Sequence, residues 1–183
     1  MTFFLKPKKL GNAGFTIIEI LIVIGVIVSL VSILLLYGRN GENQLILFKE
    51  QSKLVSTVYR AKSMSIETFS DPSPPCGYGI HFDLPSSYFI FRDMPPLTGC
   101  KDSDKKYADT GVIDEVVERY TLSPQVSLGP LPITDVLFIP PDPKTIFQYV
   151  LSGDTTDPIV ITLETLTAGS LDFSINNTGQ ISL

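Results

Sequence analysis

Gly14-Phe15-Thr16-Ile17-Ile18-Glu19 opens an apolar run that continues to Tyr37 and contains a single charged side chain, Glu19. Residues 15–37 number 23. At 1.5 Å per residue a helix of that length is about 34 Å long, enough to cross a bilayer core of roughly 30 Å. Lys6, Lys8 and Lys9 precede the run, with no acidic residue among them. Positive charge on that side holds the N-terminal end in the cytoplasm and sends everything after Tyr37 to the outer face. A cleavable secretory signal carries its small-residue cut site after the apolar region. Here Gly11, Ala13 and Gly14 come before it. Cleavage at Gly14 would therefore leave the apolar helix on the mature chain, beginning at Phe15. Glu19 needs its own account, because a carboxylate near a membrane helix end is costly unless partnered. A neighbouring subunit's free α-amino group would serve; hydration at the membrane surface is the alternative.

Outward from this stretch, residues 38–41 (Gly-Arg-Asn-Gly) read as a break, since glycine in a helix costs about 1 kcal/mol relative to alanine. A helical pattern resumes near Glu42. Leu45, Phe48, Ser52, Val55, Tyr59 and Ile66 recur at three- and four-residue steps, with Lys49, Glu50, Lys53, Arg60 and Lys62 mostly off that line. This predicts an amphipathic helix to residue 70 whose stripe packs on a following sheet; a partner-binding stripe is the sharper alternative. Asp71-Pro72-Ser73-Pro74-Pro75 ends it. The pattern then switches to period two. Tyr78, Ile80 and Phe82 face one way, and Gly79, His81 and Asp83 the other, with His81 expected to be solvated. Tyr88-Phe89-Ile90-Phe91 returns as a second strand. Further strands are expected over residues 112–122, 135–139 and 158–163, and a hairpin over 171–183 turning at Asn176-Asn177-Thr178-Gly179. Parallel crossovers would need intervening helices, and none is visible, so the sheet should be mainly antiparallel.

The expected fold class is α+β, a long N-terminal helical spine packed on a mainly antiparallel β-domain. The divisions are a leader (1–14), a membrane helix (15–37), an amphipathic continuation (38–70) and an extracytoplasmic β-domain (71–183). Cys76 and Cys100 flank the first hairpin. In an oxidising compartment they are expected to form a disulfide, worth about 3 kcal/mol for a loop of that length; two buried free thiols are the alternative.

Charge and motifs exclude several functions. The chain has 14 basic and 19 acidic residues, net −5, and losing the three leader lysines takes it to −8. A domain of that sign is a poor general binder of nucleic acid. One histidine, His81, supplies no evident catalytic triad and no zinc-ligand spacing, and no GxxxxGK[ST] loop is present. No cofactor and no metal is expected. Asp102, Asp104 and Asp109 invite a calcium reading, but three lysines interrupt them and no EF-hand spacing appears, so a solvated loop is preferred.

Gly14-Phe15-Thr16-Ile17-Ile18-Glu19 and the apolar residues behind it resemble the type III signal of type IV pilins and pseudopilins. The likeness implies cleavage by prepilin peptidase between Gly14 and Phe15, N-methylation of Phe15, and a role for Glu19 in registering each subunit against its neighbour's amino terminus. It implies other pilin or pseudopilin subunits as partners through residues 15–37, an inner-membrane assembly platform, and membrane lipid before assembly. Many pilins carry a proline late in this helix, where this chain reads Leu35-Leu36-Tyr37, so any kink is expected at 38–41 instead. Residues 118–126, 135–140 and the last hairpin with Gly179 resemble minor pseudopilin H and its FimT-like relatives. That implies a minor subunit at or near a filament tip. A DNA-uptake minor pilin and an anchored β-domain that never polymerises are the competing readings.

Overall fold

A computed structural model describes residues 14–67, 74–109, 114–141, 144–151, 156–165 and 169–183, with backbone alone for 36–40. Of the leader (1–14), residues 1–13 lie outside the described residues. The chain divides into two compact units, 1–39 and 40–183.

One helix, α1 (Ile17–Glu67), runs through 51 residues. Its start is capped by Thr16. The Glu19 amide donates to the Thr16 carbonyl at 3.1 Å and to the Thr16 hydroxyl at 3.3 Å. Thr16-x-x-Glu19 is thus a capping pattern, and Glu19 stands in the first turn, where the helix end favours negative charge. The expected break at 38–41 does not occur, since the backbone is helical throughout. Two isolated glycines cost about 2 kcal/mol together, less than restarting a helix requires in nucleation.

Among the described residues unit 2 has nine strands: β1 (Gly77–Asp83), β2 (Ser87–Asp93), β3 (Glu115–Thr121), β4 (Val126–Leu128), β5 (Ile133–Ile139), β6 (Lys144–Tyr149), β7 (Ile159–Thr165), β8 (Gly169–Ile175) and β9 (Ile181–Ser182). They form a five-stranded sheet, β3-β2-β1-β5-β6, and a four-stranded sheet, β4-β7-β8-β9. Every pairing is antiparallel. The expected strands are all present. Short β4 and β6 were not foreseen, because three residues and a proline-flanked segment give too little pattern. At the last turn the Asn176 side-chain oxygen accepts the Thr178 and Gln180 amides and the Thr178 hydroxyl, so Asn176 builds the hairpin.

The core lies between α1 and both sheets. It takes Leu47, Leu54, Val58 and Ala61 from α1, Tyr78, Ile80 and Phe82 from β1, Val136 and Phe138 from β5, and Ile159, Ile161 and Leu163 from β7. This corrects the expected helix face. Leu45, Phe48 and Tyr59 are exposed at 68, 60 and 52%, and Ile66 is also exposed. The buried line is Leu47, Leu54, Val58, Ala61 and Ser65. Its small C-terminal members let the helix approach the sheet, where the larger residues of the other line would not fit.

The opposite face of the five-stranded sheet is covered too. A strap, residues 94–109, lays Tyr107 against Phe89 and Phe91 at ring separations of 4.8 and 5.7 Å. Phe89, Phe91 and Leu137 form a second, smaller core there. Gly79 makes this possible, since a Cβ on it would lie 2.6 Å from the Phe91 ring.

Candidate functional site

In unit 1, Gly14, Phe15 and Glu19 are all exposed. Ile17–Leu35 has mean hydropathy 3.0 with none of it buried, so this helix is long and apolar enough to span a membrane. Phe15, Glu19, Ile20, Val23 and Ile24 line one shallow groove on it. Glu19 stands in the first turn of α1, so the carboxylate sits at the positive end of the helix. Chemically this end offers an exposed carboxylate flanked by isoleucine and valine.

In unit 2 the polar chemistry gathers under the strap. Cys76, buried, and Cys100, in a short 3-10 turn (Cys100–Asp102), are joined by a disulfide with a Cα separation of 5.2 Å. Three buried aspartates fasten the rest. Asp114 accepts the Met94 and Ala108 amides, each at 2.9 Å. Asp93, at the end of β2, accepts the Ser103 hydroxyl at 2.6 Å. Asp135, on β5, accepts the Tyr107 amide at 3.3 Å and the Thr134 hydroxyl at 2.6 Å, and its Oδ1 lies 2.8 Å from the His81 Nδ1.

His81 is therefore not the solvated residue that its alternation suggested. Its ring is held by Asp135 and packs 4.9 Å from Phe89 and 5.2 Å from Tyr107. It makes no hydrogen bond to a hydroxyl or thiol among the described residues. The pair it forms with Asp135 orients the imidazole as part of the strap's seat.

Carboxylate oxygens of Asp93, Asp104 and Asp114 lie within 4.8 Å of one another, beside a cavity of about 140 Å³ that Asp102, Ser103 and Ala108 also line. Burial pushes the Asp93 carboxyl up to about 6, with Asp114 and Asp104 adding repulsion. Burial likewise raises Asp114. Of the three loop carboxylates that the sequence singled out, Asp104 is in this group, Asp102 edges the cavity, and Asp109 takes no part. Asp93 closes β2 and Asp114 stands just before β3, with no loop motif to mark either.

Lys101, Lys105 and Lys106 on the strap are interleaved with Asp102 and Asp104 rather than gathered into a basic patch. Comparison with protein-family models, with curated proteins and with solved structures finds no match for this chain.

Proposed function

We propose that this chain is a non-catalytic, membrane-inserted subunit of a type IV pilus-like filament or a type II secretion pseudopilus, and within it a minor subunit that primes or tips the filament. Prepilin peptidase cuts after Gly14, and Phe15 becomes the N-methylated terminus. The chain resides in the inner membrane with its N-terminus inside and its β-domain outside until it is assembled. No cofactor is proposed, and the net negative charge of the chain disfavours DNA as the partner.

The observation that carries this reading is the wholly exposed apolar segment Ile17–Leu35, with one carboxylate, Glu19, in its first turn. Lipid can cover such a surface, and so can the apolar helices of neighbouring pilin-like subunits. The difference lies in Glu19. In lipid the carboxylate must stay near the membrane surface; in a helix bundle it can pair with the α-amino group of a neighbour's Phe15. Each charge then offsets the cost of burying the other, and breaking such a pair costs about 3–5 kcal/mol. The exposed line Leu45, Phe48 and Tyr59 on the helical part of unit 2 supports the same reading. It leaves apolar surface for neighbours after the core is built.

The test is Glu19→Ala in the full chain. Membrane insertion and cleavage should be unchanged, and incorporation into filaments should fall at least tenfold in sheared fractions. Normal incorporation of this variant would remove the registration role.

A further inference from the structure

We propose that residues 94–109 form a proton-tightened latch over the outer face of the five-stranded sheet, closed more firmly when one proton enters the Asp93, Asp104 and Asp114 group. The strap is fastened mainly by acceptors that bear charge. Asp114 takes an amide from each end of it, Met94 and Ala108. Asp93 takes the Ser103 hydroxyl near its middle, and Asp135 takes the Tyr107 amide. The disulfide ties the remaining point, Cys100, to Cys76. The Gln148 side-chain amide adds a bond to the Lys105 carbonyl at 3.1 Å.

The same carboxylates oppose one another. From the strap, Asp102, Asp104 and Lys105 face Asp93 or its cavity; Asp114 faces it from the segment before β3; Asp135 with its His81 lies beyond, on the sheet. Burial raises Asp93 most and Asp114 and Asp104 add to it, while the Ser103 hydrogen bond and Lys105 act to lower it. Opening the strap carries Ser103, Asp104 and Lys105 away and lets water reach Asp93. The closed state then favours the protonated carboxyl, and the open state the ionised one.

The sign follows. The closed form holds its Asp93 proton up to about pH 6, against an ordinary 3.8 when released. Between those values the closed form binds more protons, so closure strengthens as pH falls through 6 and levels off below 4. From about pH 7.5 to pH 5 the closing equilibrium should shift about tenfold, the ratio those two values give. A protonated Asp93 keeps its Ser103 bond and no longer repels the Asp104 and Asp114 carboxylates beside it.

The test is amide hydrogen exchange on the full chain in detergent micelles with EDTA, at pH 7.5 and pH 5, with rates corrected for intrinsic exchange. The Tyr107 and Ala108 amides should gain about tenfold in protection at pH 5, while core amides of β1 and β5 change little. Asp93→Asn should hold high protection at both pH values, because it keeps the Ser103 acceptor and loses the charge. Should that variant fail to fold, the exposed Asp104→Asn must shrink the wild-type response. Protection that is flat or falls on acidification, or a full response in either variant, would overturn the latch. A response seen only when calcium replaces EDTA would also overturn it, in favour of a bound cation.

Discussion

Ser65 of α1, fully buried, donates its hydroxyl hydrogen to the Phe138 carbonyl of β5 at 2.7 Å. The bond joins helix to sheet across 73 residues of sequence, at a point where a larger side chain would hold the two apart. Ser65→Ala should cost about 1–2 kcal/mol, the usual penalty for a buried polar group left short of a partner. Ser65→Leu should cost more through overpacking. Urea titration followed by circular dichroism would rank the three proteins.

The buried line of α1 can be tested against the line that the sequence favoured. Leu54→Ala should cost about 2–5 kcal/mol, as core truncations do. Phe48→Ser, on the exposed line, should stay within about 0.5 kcal/mol. Thermal unfolding of the two variants decides the face, and equal losses would contradict it.

Gly79 lies where β1 passes beneath the Phe91 ring. A Cβ there would meet that ring at 2.6 Å and the Val136 carbonyl oxygen at 2.8 Å. Gly79→Ala should therefore destabilise the domain by about 1–3 kcal/mol, the range for overpacking. The loss should show most at the Tyr107, Phe89 and Phe91 cluster, where aromatic proton shifts would report it.

Tyr88 is buried, and its hydroxyl has no hydrogen-bond partner among the described residues. Burial pushes it up to about 12 from its ordinary 10. The folded state thus keeps a proton that the unfolded state releases, and stability should fall as pH rises from 10 to 12. Tyr88→Phe should be within about 1 kcal/mol of wild type at pH 7 and should flatten that alkaline loss. Denaturant midpoints at pH 8 and pH 11 provide the check.

The membrane-length helix was legible in the sequence because 18 or more apolar residues leave no alternative pattern. β1 and β2 were legible from their period-two alternation, and the Cys76–Cys100 pairing from the hairpin that the two cysteines flank. The helix face was not. Two apolar lines run along residues 45–66, and composition favours the line with Phe48 and Tyr59. The choice was made by the sheet, which accepts Ala61 and Ser65 at close range. His81 was misread for a related reason: alternation marks a face but cannot show that Tyr107 of a later strap will cover it. The Asp93 and Asp114 clamp has no sequence signature at all, since it exists only once β2 and β3 bring two chain segments together.

The central claim concerns the bond between Gly14 and Phe15. The measurement is mass spectrometry of N-terminal peptides from sheared filaments and from membranes of cells that express the full chain. The account predicts a peptide beginning at N-methylated Phe15, detectable in filaments and more abundant in membranes, as befits a minor subunit. An intact residue 1–14 leader in every fraction would contradict it and leave an anchored β-domain that never enters a filament.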